Sequence, residues 1–401
     1  MFTVTSLPFQ SCLGFKVAVP ITPTREEDFA SVIADAAGQR NKLSITGGGS
    51  KSPFGAETPA QMLSTNGLAG VVDYDPAELI LTVLPGTPLA QVQALVADAG
   101  QMLAFEPFDC GPGFGKAAGA STIGGTVAAG ISGSQRVSCG GARDHLLGFR
   151  AVSGRGEIFA AGAKVVKNVT GYDLPKLAAG SWGRLFVLTE LTLKTLPRPH
   201  VVATMAIEGL DDADAIRALA KAMGSQVDVA AAAHIPGRLR GGKGLTVMRI
   251  QGFGPSVSAR CALLEPVLVE FGRVFALPAP DAEDVWAQYK TLTALGTKMP
   301  IWRISVPPSK ACELVASMSV GAAKWLYDWA GGLVWIASDH APQAVRQAAI
   351  SAGGHATLYH GSASLRSEVR AFHPQPAGLA ALEERVRRSF DPAGVFETGR
   401  F

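Results

Sequence analysis

Residues 43–51 read Leu-Ser-Ile-Thr-Gly-Gly-Gly-Ser-Lys, a short strand-like run that passes directly into three consecutive glycines. Glycine adopts backbone conformations that other residues avoid, so this loop could turn several backbone N–H groups towards one phosphate. The Gly-Lys-Ser/Thr order of a Walker A loop is absent. A flexible turn explains the glycines equally well, and the motif alone leaves both interpretations open. The candidate phosphate-binding residues are Gly47, Gly48, Gly49, Ser50 and Lys51.

A second glycine-rich segment, residues 121–130, reads Ser-Thr-Ile-Gly-Gly-Thr-Val-Ala-Ala-Gly. Small side chains at nearly every position would let the start of a helix press against a large flat ligand. A tightly packed contact between a helix and a sheet would also favour small residues. The relaxed Gly113-Phe-Gly115 pattern does not follow an apolar strand, so it does not predict an NAD site.

Two further segments precede the strand at 185–196. Residues 167–174 and 179–185 form a polar, glycine-punctuated stretch that leads into an apolar run, an arrangement suited to recognising the rings of a dinucleotide. Upstream, residues 143–148 read Arg-Asp-His-Leu-Leu-Gly, where a surface ion pair is the ordinary interpretation of the first two residues.

The composition narrows the class of protein. The chain has 401 residues, of which 47% are hydrophobic and 17% charged, as in a soluble globular protein. A net charge of +3, from 36 basic and 33 acidic residues, gives no reason to expect nucleic acid as a partner. The five cysteines are scattered without a Cys-x-x-Cys pair, which favours a reduced, cytoplasmic protein over a disulfide framework or an iron–sulfur site.

No signal peptide and no apolar run of about 18 residues is apparent, so we expect membrane attachment only peripherally or through a partner.

Hydrophobic periodicity predicts an α+β protein. In the first half, strands are expected at 43–46, 79–84 and 185–196, with a hairpin at 149–160. After Pro197-Arg198-Pro199 the glycine-rich pattern stops, and strand-like pieces alternate with Ala-rich helices in what is expected to be an antiparallel sheet. We therefore predict domains at residues 1–199 and 200–375, followed by a C-terminal helix and tail at 376–401.

Taken in order, seven segments resemble the PCMH-type, or vanillyl-alcohol-oxidase-like, FAD-binding family. They are GGGSK (47–51), VLPGTPLAQVQ (83–93), FEPF (105–108), STIGGTVAAGISGS (121–134), RDHLLG (143–148), GYDLPKLAAGSWG (171–183) and a strand ending in TLPRP (195–199). The resemblance implies a two-lobed FAD-binding domain followed by a smaller α+β cap domain whose tail returns to the FAD domain.

In that family the two glycine-rich segments flank the FAD pyrophosphate, and the later loop and strand hold the rings. The implied cofactor-binding residues are Gly47, Gly48, Gly49, Ser50, Lys51, Pro107, Ser121, Thr122, Gly124, Gly125, Ala128, Arg143, Gly171, Tyr172, Gly180, Ser181, Gly183 and Val187.

Three stretches are similar to the smaller FAD-binding subunits of bacterial glycolate oxidases. They are VVKNVTGYDLPKLAAGS (165–181), WRISVPP (302–308) and GGHATLYH (353–360) taken with FDPAGVFETGRF (390–401). This resemblance implies a small 2-hydroxy acid substrate such as glycolate. It also implies a larger flavin subunit and an iron–sulfur subunit as partners, and a cytoplasmic location with peripheral attachment to the inner membrane face left open.

Two departures from the family pattern refine these expectations. Ser50 stands where members that attach FAD covalently often carry a histidine, so we expect non-covalent FAD. Related dehydrogenases carry a HAGDGNxH-like pair of metal-linked histidines, whereas the interval from His355 to His360 is shorter and lacks the Asp and Asn. No metal site is therefore predicted.

Oxidation of a hydroxy acid needs a cation for its carboxylate and a base for its hydroxyl proton. Arg303 is the candidate cation, and His355 or His360 the candidate base. A structural ion pair and ordinary packing are the alternatives for these residues. Two other functions stay open: a non-catalytic assembly or electron-relay subunit, and a stand-alone FAD-linked dehydrogenase of the D-lactate type.

Overall fold

A computed structural model describes residues 19–162, 172–319 and 321–401, and its elements follow the periodicity of the sequence. The first helix buries Phe29, Ile33 and Ala36 on one face. It carries three acidic residues in its first turn, where they interact favourably with the helix dipole. The elements of the first half are α1 Glu26–Gln39, β1 Leu43–Thr46, β2 Gln61–Ser64, β3 Val71–Asp75, β4 Ile80–Val83, α2 Leu89–Asp98, β5 Gln101–Met102, α3 Ile123–Ala128, α4 Arg136–Cys139, α5 Ala142–His145, β6 Leu146–Ser153, β7 Ile158–Gly162, α6 Leu174–Ala178, β8 Phe186–Lys194 and β9 Leu196–Pro197.

Two separate sheets carry most of the first half. Strands β1 and β2 pair in parallel, while the larger sheet has the order β3-β4-β8-β6-β7 with antiparallel neighbours. Strand β8 lies at the centre of that sheet and is buried along most of its length. The predicted hairpin is confirmed by the antiparallel pairing of β6 with β7.

The second half forms one eight-stranded antiparallel sheet with the order β13-β10-β12-β11-β15-β16-β14-β17. The predicted α+β class with an antiparallel sheet is thereby confirmed, whereas the domain boundaries stay a prediction. The elements are β10 Val201–Glu208, α7 Asp212–Met223, β11 Ala231–Ile235, β12 Leu245–Gly252, α8 Gly254–Leu268, β13 Phe275–Ala276, α9 Ala279–Thr291, β14 Ile301–Ser305, α10 Ala311–Met318, β15 Lys324–Asp328, β16 Leu333–Ala337, α11 Pro342–Ser351, β17 His355–His360, α12 Ala363–Glu368 and α13 Ala377–Phe390.

The two faces of this sheet have different neighbours, because successive side chains of a strand point to opposite sides. On one face Trp302 and Ile304 pack with buried residues of the helices α7, α8, α10 and α11. On the other face Trp335 and Tyr359 pack with Phe54 and Phe114 of the first half. The cleft between the two halves is therefore lined by alternate residues of the sheet.

A buried ion pair joins the halves beside this cleft. The guanidinium of Arg249 in β12 donates to the carboxylate of Glu106, and their side chains are 9% and 17% exposed. The second carboxylate oxygen of Glu106 accepts the backbone N–H of Gln135 at 2.7 Å. Arg249 also lies over the Trp286 ring, 4.3 Å from its centre. The pair fixes the position of the loop before α4 against the sheet.

The C-terminal tail pairs with the first strand of the chain. Leu43 donates its N–H to the carbonyl of Val395 at 2.9 Å and accepts the N–H of Glu397 at 2.9 Å. Further along, the N–H of Ala56 donates to the carbonyl of Gly399 at 2.6 Å. These bonds hold the last residues of the chain beside the glycine loop that follows β1.

Among the described residues, no helix combines the length and the apolar character needed to cross a bilayer.

Candidate functional site

A cavity of about 890 Å³ opens between the two sheets of the first half, within the size range of ligand sites. Among the described residues, its walls come from 44–65, Pro85, the region around α3, the stretch from Ser181 into β8, and the C-terminal tail. The predicted cofactor residues on these walls are Gly47, Gly48, Gly49, Ser50, Lys51, Thr122, Gly124, Gly125, Ala128, Ser181 and Gly183.

The two glycine-rich segments touch each other at the floor of this cavity. A Cβ atom on Gly48 would lie 1.6 Å from the carbonyl oxygen of Ala120, and one on Gly47 would lie 2.4 Å from the Oγ1 atom of Thr122. Neither distance is compatible with a side chain. Gly49 has a φ of +74°, a conformation that favours glycine. Gly47 and Gly48 are therefore required by the contact and Gly49 is favoured by its backbone conformation, whereas a flexible turn would require none of the three.

Lys51 brings an unpaired positive charge to this loop. Its ammonium is buried and donates to the Ser50 hydroxyl at 3.2 Å, and no carboxylate of the described residues lies within ion-pair distance of it. Burial lowers the pKa of Lys51 below its usual value, Asp109 opposes this shift, and Arg400 adds to it. Because a buried cation is unfavourable without a counter-charge, the site is suited to an anion.

Asp109 fixes the loop from behind. The Ser121 hydroxyl donates to the Asp109 carboxylate at 2.7 Å and lies 3.0 Å from the Ser50 hydroxyl. The same carboxylate accepts the N–H groups of Gly111 and Gly119 at 2.9 and 2.6 Å. Burial raises the pKa of Asp109, but these hydrogen bonds outweigh it and hold the pKa below its usual value. Ser121 thus supports the wall from outside the cavity.

Arg400, next to the last residue, places a second cation on the wall of the same cavity. Burial lowers the pKa of its guanidinium to about 10. The guanidinium donates to the carbonyl of Thr398 at 2.9 Å and lies over the Trp182 ring, 5.2 Å from the ring centre. Trp182 in turn stacks on Phe54 at 4.4 Å. The resemblance implied that the tail returns to the first half, but sequence reasoning did not single out Arg400 as a residue of the site.

Several predicted cofactor residues lie elsewhere. Pro107 is buried away from the cavity, with its carbonyl accepting the Gln93 side-chain amide at 2.9 Å. Val187 packs in the core under α1, and the Tyr172 side chain is 91% exposed. Gly171 lies outside the described residues. Arg143 and Gly180 line a second, smaller cavity instead.

This second cavity, of about 340 Å³, adjoins the first and lies between the first half and the eight-stranded sheet. Of the described residues, three line both cavities: Phe54, Ala129 and Trp182. Its sheet side carries polar residues from β14, the end of β15 and β17, with tryptophans between them.

Arg303 of β14 reaches into the smaller cavity. Its guanidinium lies 5.0 Å from the centre of the Trp329 ring and 5.8 Å from that of Trp335. Burial lowers the pKa of Arg303 to about 10, and the nearby Arg136 guanidinium adds to this shift. No carboxylate in the described part of the chain lies within ion-pair distance. The structural ion pair considered as an alternative is therefore not observed.

The two predicted histidines do not come together. His355, Thr357 and Tyr359 line the smaller cavity from alternate positions of β17, whereas His360 is not on its wall. The ring of His360 instead lies 6.3 Å from that of Phe114. Burial lowers the pKa of His355, and the positive charge of Arg303 adds to this shift. A β-bulge interrupts the alternation of β17, because Ile301 pairs with His360 whereas Trp302 pairs with Leu358. His360 therefore lies beside Phe114 and not on the wall of the smaller cavity.

Asp328 and Ser134 are polar residues of the smaller cavity that sequence reasoning missed. The Ser134 hydroxyl donates to the Asp328 carboxyl at 2.8 Å, across the cleft between the two halves. Ser134 ends the glycine-rich segment at 121–134 but was not singled out as a site residue, and Asp328 lies in no motif that the sequence analysis identified. Within the described ranges, no three His, Cys, Asp or Glu side chains are grouped so that they could hold a metal ion.

Comparison with known proteins shows which family the chain resembles. A family model described as an FAD binding domain matches residues 17–162. The glycolate oxidase subunit GlcE of Escherichia coli K12 is 32% identical over 384 residues, which cover 94% of this chain and 98% of that protein. The glycolate oxidase subunit GlcD of Bacillus subtilis 168 is 24% identical over 376 residues, 82% of this chain and 77% of that protein.

Among solved structures, p-cresol methylhydroxylase with bound substrate superposes with a TM-score of 0.66 at 15% identity. The match covers 95% of this chain and 88% of that chain. It confirms the predicted PCMH-type fold.

The contact between the glycine loops predicts the effect of one added methyl group. Gly48→Ala should weaken FAD binding at least about tenfold, because its Cβ would force the loop away from Ala120. Titration of the full chain with FAD, followed by flavin fluorescence, measures the affinity. Gly38→Ala is the matched control, since a Cβ there meets nothing within 4 Å. Equal affinity of Gly48→Ala and the wild type would contradict the role given to this contact.

Proposed function

This chain belongs to the family of FAD-binding glycolate oxidase subunits, and we propose that its adjoining cavities hold FAD and a 2-hydroxy acid side by side. The observation that supports this most directly is the wall that the cavities share, formed by Phe54, Ala129 and Trp182. Transfer of a hydride from one bound molecule to another requires that their binding sites adjoin. In this proposal the chain itself oxidises glycolate or a related 2-hydroxy acid.

The larger cavity has the chemistry that FAD requires. Lys51 and Arg400 are buried cations with no carboxylate partner among the described residues, so a pyrophosphate would supply the missing negative charge. The glycine loops leave room for the phosphates to approach the backbone. Apolar side chains such as Ile45, Met62 and Phe186 line the remainder and suit the ring systems.

We propose that FAD is held without a covalent bond. Ser50 occupies the loop position where a histidine would be expected in covalent members of the fold family. Its side chain is 2% exposed, and its hydroxyl is 3.0 Å from that of Ser121. A hydroxyl held in this way supports the loop and offers no ring nitrogen for attachment to a flavin.

The smaller cavity suits the carboxylate of a small acid. Arg303 is a deeply placed guanidinium with no carboxylate of the described residues within ion-pair distance, and its planar group can bind a carboxylate through two hydrogen bonds. Aromatic rings on either side, Trp329 and Trp335, hold the guanidinium in place. When bound, FAD accepts the hydrogen that leaves the substrate α-carbon with two electrons. His355 and Asp328 are the wall residues able to take the hydroxyl proton.

A relay or assembly role is the competing function. It is favoured by the placement of His355 and His360, which do not face the same cavity and cannot act as a pair. In that role FAD would bind here, but the hydroxy acid would be oxidised by another subunit.

Removal of either buried cation should weaken the cofactor complex. Lys51→Gln and Arg400→Gln should each raise the dissociation constant of FAD about 10- to 100-fold, because each removes a charge-assisted contact worth about 1.5–3 kcal/mol. Lys298→Gln, an exposed lysine of the second half, is the control. Acid precipitation of the wild-type holoprotein should leave the flavin in the supernatant. Flavin that stays with the precipitated chain would contradict non-covalent binding.

Anaerobic addition of glycolate tests the catalytic proposal. The flavin of the purified full chain should bleach, and Arg303→Gln should raise the glycolate concentration needed about 10- to 100-fold. Arg303→Lys should recover only part of this loss, since an ammonium lacks the planar fork. Arg155→Gln, on the surface, should behave as wild type. Bound flavin that no hydroxy acid bleaches would instead favour the relay role.

We further propose that the electrons leave to an iron–sulfur partner within a complex that also contains a larger flavin subunit. The four cysteines of the described residues are free and are not grouped with other metal-binding side chains. The related proteins of Escherichia coli and Bacillus subtilis are glycolate oxidase subunits. Purification of a tagged full chain from its own cells should retain two further proteins and bound iron. Recovery of the chain alone under gentle conditions would favour a stand-alone dehydrogenase.

A further inference from the structure

Asp328, at the end of β15, is a buried carboxyl group on the wall of the smaller cavity. Its side chain is 3% exposed. One oxygen accepts the backbone N–H of Trp329 at 2.8 Å, and the other accepts the Ser134 hydroxyl at 2.8 Å. No lysine or arginine of the described residues lies within ion-pair distance of it. The group therefore has hydrogen bonds that orient it but no fixed counter-charge.

The register of the sheet places Asp328 relative to the other candidates. Asp328 pairs with Leu333, Leu333 with Ser305, and Ser305 with His355, so these four residues form one row across four strands. With strands about 4.8 Å apart, the backbones of Asp328 and His355 are about 14 Å from each other. Only one of them can therefore contact the hydroxyl of a given small acid.

The guanidinium of Arg303 favours the Asp328 end of this row. Arg303 lies two residues before Ser305 on the same face, and its guanidinium approaches the Trp329 ring to 5.0 Å. Trp329 follows Asp328 directly in the sequence. In a 2-hydroxy acid the hydroxyl is carried by the carbon next to the carboxylate. A carboxylate bound at Arg303 thus brings its hydroxyl towards this end of the cavity.

Charged groups from several elements act on Asp328. Arg249 and Arg303 act on it with positive charge, Glu106 acts on it with negative charge, and the Tyr289 side chain also interacts with it. Arg136 lines the same cavity. Burial is the largest effect and raises the pKa of Asp328 from 3.8 to about 7, against the hydrogen bonds from Trp329 and Ser134. A carboxylate near its pKa at neutral pH is an effective proton acceptor.

We propose that Asp328 is the catalytic base of this cavity and takes the hydroxyl proton of a 2-hydroxy acid bound at Arg303, an inference that rests on the proposed function. The O–H bond breaks and its proton passes to the carboxylate. The C–H hydrogen leaves with both electrons of its bond to FAD, and the oxygen forms the carbonyl of a 2-oxo acid. One proton on Asp328 and one hydride equivalent account for both hydrogens that are removed.

Ser134 is a positioning residue in this scheme. It belongs to the loop after α3 in the first half, whereas Asp328 belongs to the sheet of the second half. Its hydrogen bond stabilises the ionised carboxylate, so Ser134→Ala should raise the pKa of Asp328 further. The rate of flavin reduction should then reach its maximum at a higher pH, while the maximum itself changes little.

The test compares Asp328→Asn, His355→Gln and the exposed control Asp284→Asn in the full chain loaded with FAD. Anaerobic bleaching by glycolate is followed by stopped flow from about pH 5 to about pH 9. The wild-type rate should rise with pH through about 7. Asp328→Asn should lower the rate of bleaching about 10²- to 10⁴-fold and abolish its rise with pH. His355→Gln should retain the rise with pH. Oxalate, an acid that cannot be oxidised by hydride loss, should still perturb the flavin spectrum of Asp328→Asn.

Thermal unfolding provides a readout that does not depend on activity. The folded pKa of Asp328 lies above the ordinary 3.8, so this group lowers the stability of the fold as the pH rises from about 4 to about 7. Relative to wild type, the melting temperature of Asp328→Asn should therefore increase from about pH 4 to about pH 8. A pH-independent difference would overturn the buried titration that the assignment requires.

The outcomes separate the two proposals. A normal rate and pH profile in Asp328→Asn, or loss of the pH dependence in His355→Gln instead, would overturn the role of Asp328 and leave the proposed function standing. Wild-type flavin that binds but is not bleached by glycolate, D-lactate or 2-hydroxyglutarate would overturn the proposed function, and the role of Asp328 with it.

Discussion

The absence of space for a side chain between the two glycine-rich segments is the constraint on which the larger cavity depends. Because Gly48 meets the backbone of Ala120 directly, the loop after β1 and the start of α3 form one continuous floor. That contact sets Ser50 against Ser121 and brings the Lys51 ammonium beside the start of α3, 3.8 Å from where a Cβ on Gly125 would stand. A buried charge can be tolerated there because the surrounding cavity admits an anion.

Local sequence predicted elements of both halves, since the signals involved are short in range. The strand at residues 43–46, the helix at 212–223 and the strand at 333–337 were readable from periodicity alone. Strand β11 was not, because its run of alanines is buried on both faces and so lacks alternation. Strand β17 was read only as a histidine motif, although its burial follows a strand.

The parts of the site that escaped prediction come from distant positions in the chain. Arg400 reaches the larger cavity only because the tail pairs with β1, some 350 residues earlier in the sequence. Asp328 meets Ser134 across the cleft between the two halves, a contact between residues 194 positions apart. Neither relation leaves a mark on neighbouring residues, so periodicity and motif spacing could not indicate it. Buried polar groups facing a cavity revealed both.

The two cavities also differ in how they depend on the rest of the fold. The larger cavity is built chiefly by the first half, and the C-terminal tail adds one wall. The smaller cavity is formed only where residues of both halves face each other. Its base candidate is oriented by Ser134 from one side and Trp329 from the other, and the Glu106–Arg249 pair holds these sides together. Any movement of the sheet away from the first half would break the Ser134 bond and expose the carboxyl group of Asp328 to water, so both its orientation and the burial that raises its pKa depend on the closed arrangement. The geometry therefore couples closure of the halves to the proton acceptor, and it does so without either of the histidines that the sequence had suggested.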